Sequence, residues 1–225
     1  MTRVQTIAID GPGASGKTVV GRGLARKLGY RFVDTGTMYR AVTRVALDRG
    51  VSLDDDEALA HLASSLSIDI GEEREDGSPP RLCVDGRDLT DAVRTPEVDR
   101  AVSRVSAVAG VRTALVRLQR ALGEQGKVVM AGRDIGTVVL PDAGLKLFLL
   151  ASEEERARRR YRELVERHVE VTFDSVLEDL RRRDRLDSER DISPLSPAED
   201  AERIETDDYT LSEVVDRLWR LTEKP

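Results

Sequence analysis

The sequence predicts an α/β protein in which a five-stranded parallel sheet is covered by helices on both faces. The first observation is that apolar runs alternate with amphipathic helical segments towards both ends of the chain. The second is that these runs are almost continuously apolar, as in strands buried on both faces. The third is a glycine-rich loop between the first run and the first helix. The predicted strands are Val4–Ile9, Arg31–Val33, Lys127–Ala131, Leu145–Leu150 and Arg203–Thr206.

The glycine-rich loop fits the phosphate-binding pattern Gly, four residues, Gly-Lys-Ser/Thr. It follows the first strand directly and precedes a predicted helix over Val19–Leu28. This strand–loop–helix context is the one in which the pattern indicates phosphate binding. Glycines let successive backbone N–H groups turn towards one anion, and the helix N-terminus adds free donors. A lysine here reaches the β- and γ-phosphates, and the following hydroxyl ligates Mg²⁺. The sequence therefore predicts a nucleoside triphosphate site made by Gly11, Pro12, Gly13, Ala14, Ser15, Gly16, Lys17 and Thr18.

Composition narrows the class of protein. The 225 residues suffice for one core with an inserted subdomain, and a formal net charge of −6 argues against a nucleic-acid partner. No apolar stretch reaches membrane-spanning length, so no membrane partner is expected. The only cysteine, Cys83, is predicted to be a half-buried strand residue, which suits a cytoplasmic location. We expect both histidines, His61 and His168, at the surface and no zinc site. The chain has no asparagine, so the Asn-Lys-x-Asp guanine-reading element of GTPases is excluded.

The middle of the chain breaks the alternation of strands and helices. Predicted helices begin near Thr37, Asp54 and Thr95, the last with proline at its first position. Between the second and third of these, Asp85-Gly86 gives a strong hairpin signal, and the polar stretch Gly71 to Pro80 is predicted to be a loop. We therefore expect a small antiparallel sheet within an inserted subdomain over residues 36–110. Its predicted strands are Ser67–Ile70, Arg81–Val84 and Arg87–Leu89.

Two motifs follow predicted strands of the parallel sheet, where α/β proteins place function. After the second strand, Arg40 and Tyr39 could hold a second phosphate and a ring, and Thr35 could hydrogen-bond a base. The alternative is a helix capped by Thr37 with a solvated arginine. After the third strand, the sequence Gly132 to Thr137 sets an Arg-Asp pair between glycines. This predicts a binding loop, with a purely structural ion pair as the alternative.

Two arginine-rich segments follow. A predicted capping box at Ser152 opens a helix on which Arg156, Arg159 and Arg160 share a face. That face could be solvated or could belong to a mobile lid that clamps phosphates. Further on, helical spacing aligns Arg183, Asp187 and Arg190 along one edge, suited either to a ribose and base or to a salt-bridge ladder.

Taken together, these motifs resemble the bacterial cytidylate kinase (CMP/dCMP kinase) family over essentially the whole chain. The resemblance rests on Asp10-Gly11-Pro12, on residues 34–40 and 132–137, and on Arg183-Asp184-Arg185-Leu186-Asp187. It implies a single P-loop kinase domain over 1–225 with a nucleoside-monophosphate-kinase core, a CMP-binding insert and an Arg-rich lid over 152–170. The implied reaction moves the γ-phosphoryl group of ATP to CMP or dCMP with Mg²⁺, in a monomeric enzyme of pyrimidine metabolism.

The resemblance also implies roles for individual residues. Lys17, Arg133 and the lid residues Arg156 and Arg160 would act on the transferring phosphoryl group. Arg40 and Arg133 would hold the α-phosphate of CMP, and Tyr39 would also contact the substrate. Arg183 and Asp187 would bind the sugar hydroxyls. The cytosine would be surrounded by Thr35, Ser103, Arg112, Asp134 and Arg190.

One position departs from the family pattern, in which an acidic residue usually precedes Gly-Arg-Asp. Here that residue is Ala131, so a carboxylate that would support Mg²⁺ and its waters is missing. The residues leave two alternatives to CMP phosphorylation open. One is a P-loop kinase for UMP, shikimate or a sugar, and the other is a non-catalytic nucleotide sensor or RNA-binding protein. The net acidity and the scarcity of aromatic residues count against the second.

Overall fold

A computed structural model describes residues 3–71, 74 and 78–223. The larger sheet has five strands in the order β2-β6-β1-β7-β8, and the pairs β1–β6, β1–β7 and β7–β8 are parallel. All five predicted strands are confirmed, with no end shifted by more than two residues. Their bounds are β1 Thr6–Asp10, β2 Arg31–Asp34, β6 Val128–Ala131, β7 Leu145–Leu150 and β8 Glu202–Glu205.

The helices are mostly amphipathic, as their sequence pattern predicts. Within the part of the chain that the structure describes, no helix is long and apolar enough to cross a membrane. Their bounds are α1 Lys17–Leu28, α2 Thr35–Asp48, α3 Asp56–Ser65, α4 Pro96–Ala107, α5 Ala109–Glu124, α6 Glu153–Glu166, α7 Phe173–Glu189 and α8 Leu211–Thr222.

The chain divides into two compact units, and the first comprises Met1–Tyr30 with Lys127–Pro225. Its core is the fully buried set of β-branched and leucine side chains on β1, β6 and β7. Helix α1 packs closely on α8: a Cβ on Gly23 would lie 2.8 Å from a methyl carbon of Val215. Glycine at this position therefore allows the two helices to approach.

Helices α6 and α7 form a hairpin with an apolar seam of its own. Ala157, Leu164, Val176 and Leu180 are buried in it, and Ala14 of the glycine-rich loop packs against the seam. Ser152 caps α6 by accepting from the Glu155 N–H, but the predicted capping box is wrong. The backbone N–H of Ser152 donates to Asp207, and the Glu155 carboxylate pairs with Arg159 instead.

The second unit, Arg31–Gly126, holds helices α2 to α5 and a small antiparallel sheet. The three strands are β3 Ile68–Ile70, β4 Leu82–Val84 and β5 Arg87–Asp88. Asp85 (φ 49°) and Gly86 (φ 79°) both take left-handed backbone, so the predicted two-residue hairpin turn is confirmed. The predicted loop Gly71 to Pro80 includes residues 72–73 and 75–77, which lie outside the described residues.

Helix starts in this unit follow the expected chemistry, with one exception. Thr95 caps α4, whose first residue is Pro96, and Asp55 caps α3. The alternative in which Thr37 caps α2 is wrong. Asp34 is the cap and accepts from the Gly36 N–H at 3.0 Å, so the helix begins two residues earlier.

Candidate active site

The glycine-rich loop between β1 and α1 has the backbone conformation of an anion-binding nest. Gly11 (φ 147°) and Gly16 (φ 94°) have positive φ, as does Ala14 at 58°. A Cβ on Gly11 would lie 2.3 Å from the Leu149 carbonyl oxygen, so only glycine fits there. Gly16, the left-handed N-cap of α1, has no side chain that could cap the helix, and a helix N-terminus of this kind is a recurrent anion-binding position.

Lys17 and Thr18 stand in the first turn of α1. The Lys17 side chain is 8% exposed, and its Nζ donates to the Pro12 carbonyl at 2.5 Å and to Ser15 Oγ at 3.3 Å. These contacts hold the ammonium group over the loop, where it can act on phosphates bound there. Thr18 is half-buried beside it and supplies the hydroxyl predicted to reach a metal ion.

The Gly-Arg-Asp loop follows β6 and leads into a single π-helical turn, Ile135–Val139. Such turns occur often at functional sites. Asp134 is 4% exposed at the start of the turn. The loop is held by Asp10 at the end of β1, whose carboxylate accepts from the N–H groups of Ile135 and Gly136, each at 2.8 Å. Burial raises the pKa of Asp10 to about 6, against the lowering effect of those two hydrogen bonds.

Arg133 projects from this loop towards the glycine-rich loop and α7. Its Nε lies 2.7 Å from Asp187 Oδ2, and its Nη2 lies 3.6 Å from where a Cβ on Gly13 would be. Burial opposes the ionisation of Asp187. Even so, its pKa lies below the usual value because of Arg133, with smaller contributions from Arg190 and Arg183. The structure thus brings four predicted residues into one charged cluster beside the phosphate-binding loop: Arg133, Arg183, Asp187 and Arg190.

The two predicted lid arginines differ in position. Arg156 is 4% exposed, and its Nη1 donates to the Gly13 carbonyl at 3.2 Å and to Asp184 at 2.5 Å. Arg160 pairs with Glu163 on its own helix at 2.7 Å. The Gly13 contact places Arg156 directly on the phosphate-binding loop.

The remaining predicted residues lie in the second unit. Arg112 is 3% exposed and stacks on the ring of Tyr39, with the guanidinium carbon 5.5 Å from the ring centroid. Arg40 binds Asp99 at 2.5 Å and the Val93 carbonyl at 3.2 Å. Thr35 and Ser103 are buried at 3% and 7% exposure. A buried arginine stacked on an aromatic ring is chemically suited to a phosphate or a base.

The protein side chains at this site fit a magnesium ion whose ligands come mainly from the substrate phosphates. Across residues 3–71, 74 and 78–223, no group of three or more His, Cys, Asp or Glu side chains could hold a metal ion. Mg²⁺ prefers oxygen ligands and keeps several waters, binding through few protein groups plus substrate phosphates. The Thr18 hydroxyl beside the loop is a ligand of the right type.

Sequence reasoning gave no role to three residues that the structure places at this site. Asp10 was noted only as the start of the glycine motif, although a buried carboxylate at a strand end is itself a signal. Asp184 holds Arg156, and its place within the Arg-Asp run could have indicated this. Arg159 was noted only as sharing a helix face, but it donates twice to Thr206 and approaches to 3.7 Å from a Cβ on Gly16.

The glycine-rich loop, its lysine and the buried arginines around it, set at the end of a parallel sheet, define a P-loop phosphotransferase. The comparisons with known proteins make this specific. The family model described as cytidylate kinase matches residues 7–224, and the chain belongs to that family. A cytidylate kinase of Bacillus licheniformis is 46% identical over 224 residues, covering 100% of this chain and 98% of the relative. A cytidylate kinase of Bacillus subtilis is likewise 46% identical, covering 100% and 99%.

More distant solved structures share the fold alone. A shikimate kinase from Bacteroides thetaiotaomicron has a TM-score of 0.51 at 14% identity, covering 98% of this chain and 99% of its own. A gluconokinase from Sinorhizobium meliloti has the same TM-score at 16% identity, covering 99% and 96%. Both are consistent with the predicted P-loop kinase architecture.

Proposed function

We propose that this protein transfers the γ-phosphoryl group of ATP to CMP or dCMP, giving ADP and CDP or dCDP. The observation that carries the proposal is family membership over nearly the whole chain, together with the phosphate-binding loop that the fold requires for it. The proposal includes Mg²⁺ accompanying ATP, a cytoplasmic location and a monomeric state, as the resemblance implies.

The donor phosphates are assigned to the loop 11–18. Backbone N–H groups of the loop and of the α1 N-terminus would bind the β- and γ-phosphates, with the Lys17 ammonium group beside them. Arg156 would add positive charge as negative charge spreads over the transferring group, because its guanidinium already lies on the Gly13 carbonyl. Thr18 would hold Mg²⁺, which when bound neutralises phosphate charge.

The residues proposed to bind the acceptor are those that the family resemblance implies. In the first unit, Arg133 would hold the CMP phosphate, Arg183 and Asp187 the sugar hydroxyls, and Asp134 with Arg190 the cytosine. In the second unit, Arg40 would bind phosphate. The base would be held there by Thr35, Tyr39, Ser103 and Arg112.

The chemistry needs no covalent intermediate on the protein. A phosphate oxygen of CMP forms a bond to the γ-phosphorus in line, and the bond from that phosphorus to the β–γ bridging oxygen breaks, leaving ADP with the electron pair. The second pKa of a phosphate monoester is near ~6, so CMP is largely ionised at neutral pH and a general base is not required. Closure of the proposed lid, residues 152–170, which contains α6, would exclude water as a competing acceptor.

An acceptor panel tests the proposal. ADP release is followed in a coupled assay with ATP, Mg²⁺ and, in turn, CMP, dCMP, UMP, shikimate and gluconate. We expect kcat/KM to be highest for CMP or dCMP. A higher value for any other acceptor would assign the protein to a different reaction, and ATP binding with no turnover on any of them would indicate a nucleotide sensor.

A further inference from the structure

Asp10 is a buried carboxylate to which the proposed reaction assigns no role. It is the last residue of β1 and is 3% exposed. Its two oxygens accept separately from the Ile135 and Gly136 N–H groups, each at 2.8 Å. A carboxylate that accepts two backbone donors in this way fixes their positions, since each bond is charge-assisted.

The two donors are the first N–H groups of the π-helical turn 135–139. The turn bonds internally from the Val139 N–H to the Asp134 carbonyl at 3.1 Å and from the Leu140 N–H to the Ile135 carbonyl at 2.7 Å. The first N–H groups of a helical turn have no acceptor within it and need one from elsewhere. Asp10 is therefore the cap of this turn, supplied by another strand.

A second contact fixes the other side of the same loop. The Gly132 N–H donates to the Ile9 carbonyl at 2.9 Å, which continues the pairing of β6 with β1. Arg133 and Asp134 are the only residues between this bond and the Asp10–Ile135 bond. The end of β1 thus anchors the backbone immediately before and immediately after the pair proposed to bind CMP.

We infer that Asp10 is a positioning residue for the acceptor site, which holds the Gly-Arg-Asp loop so that Arg133 and Asp134 meet the phosphate and base of CMP. This inference rests on the proposed function. It differs from a role in the ATP site, because the hydrogen bonds of Asp10 go to the loop after β6 rather than to residues 11–18.

Steady-state kinetics of Asp10→Asn, with CMP and ATP varied separately, test the inference. Asparagine has similar volume but one carbonyl oxygen, so one of the two N–H groups loses its acceptor and faces an amide NH₂ group. We expect KM for CMP to rise by about ten-fold and KM for ATP to change by less than about two-fold, in line with the cost of one unsatisfied buried donor. Asp55→Asn makes the same chemical change at the cap of α3 and should alter neither constant.

A second variant approaches the contact from the loop side. A Cβ in Gly136→Ala would lie 3.4 Å from Asp10 Oδ2 and 3.2 Å from the flexible Lys146 side chain, so we expect a smaller rise in the same KM. Should Asp10→Asn fail to fold, Gly136→Ala decides alone. Unchanged KM for CMP in folded variants, or an equal rise in both KM values, would overturn the inference. If the wild-type protein does not phosphorylate CMP, the result would instead overturn the proposed function on which this inference rests.

Discussion

Arg133 Nε and Asp187 Oδ2 lie 2.7 Å apart, in an ion pair whose side chains are only 21% and 9% exposed. The arginine is proposed to hold the CMP phosphate and the aspartate its sugar. Each side chain thus has the other as a partner, and a phosphate that approaches Arg133 competes with Asp187 for the guanidinium group.

Inorganic phosphate tests this competition. In Asp187→Asn the carboxylate charge is gone, so phosphate should inhibit CMP phosphorylation several-fold more strongly, while KM for CMP rises because a sugar contact is lost. Inhibition constants for phosphate are measured against CMP. Asp179→Asn is the matched control, because Asp179 pairs with Arg182 on the exposed surface of the same helix. Weaker phosphate inhibition in Asp187→Asn would show that the pair does not compete with the ligand.

Lys17→Met should abolish turnover while the fold is kept. Methionine retains most of the buried stem but removes the charge that Nζ holds over the loop at 2.5 Å from the Pro12 carbonyl. We expect kcat to fall by ~10²-fold or more, as when a group that stabilises transition-state charge is removed. Steady-state rates and circular dichroism are measured together. Near-normal kcat in a folded variant would remove Lys17 from the mechanism.

The two lid arginines should differ in effect. Arg156→Lys breaks contacts with Gly13 and Asp184, and a lysine cannot reproduce the planar fork, so kcat should fall by about 10²-fold. Arg160→Lys should cost less than about ten-fold, because Arg160 pairs with Glu163 on its own helix. The comparison uses kcat at saturating ATP and CMP. Equal losses would contradict this difference and assign both arginines to the transferring phosphoryl group.

How much the sequence could predict differs between the fold and the site. The strands, the P-loop and the hairpin at Asp85-Gly86 followed from local patterns, because apolar runs and left-handed glycines carry their own signal. The ion-pair partners of Arg133 and Arg156 could not be predicted from local patterns. Asp187 lies 54 residues from Arg133 along the chain, and Asp184 lies 28 residues from Arg156. Helical spacing aligned Arg183 with Asp187 but could not show that Asp187 faces Arg133. Likewise, nothing local to Asp10 indicates that its partners are N–H groups 125 and 126 residues further on.

The buried Asp10 should make stability depend on pH. Its pKa is raised from 3.8 to about 6, chiefly by burial and to a smaller extent by Asp134, against the lowering effects of the Gly136 and Ile135 hydrogen bonds and of Lys17. Between these values the folded state binds more protons than the unfolded state, so this group stabilises the fold less as pH rises through 6. The difference corresponds to at most about 3 kcal/mol. Urea unfolding at pH 5 and pH 7.5 should therefore show wild type losing stability relative to Asp10→Asn on going to the higher pH. A constant difference between the two proteins would show that Asp10 titrates normally.

Ala131, the departure from the family pattern, should limit the use of Mg²⁺. It is 2% exposed at the end of β6, opposite Ile9 of β1, so a side chain added there stands at the end of the sheet from which Asp10 also projects. A carboxylate at position 131 would give the metal-bound waters an acceptor, and outer-shell partners of this kind change metal affinity or activity by ~10–100-fold. We therefore expect Ala131→Asp to lower the Mg²⁺ concentration at half-maximal rate.

The opposing effect is that a second buried carboxylate near Asp10 destabilises the sheet end, because like charges in a buried site disfavour ionisation. Ala131→Asn separates the two effects, since it adds similar volume without the charge. Magnesium titrations are run beside thermal melts for both variants. A lower Mg²⁺ requirement in Ala131→Asp alone supports the metal role. An unchanged requirement with wild-type melting would mean that the waters around the metal already have their acceptors without a carboxylate at position 131.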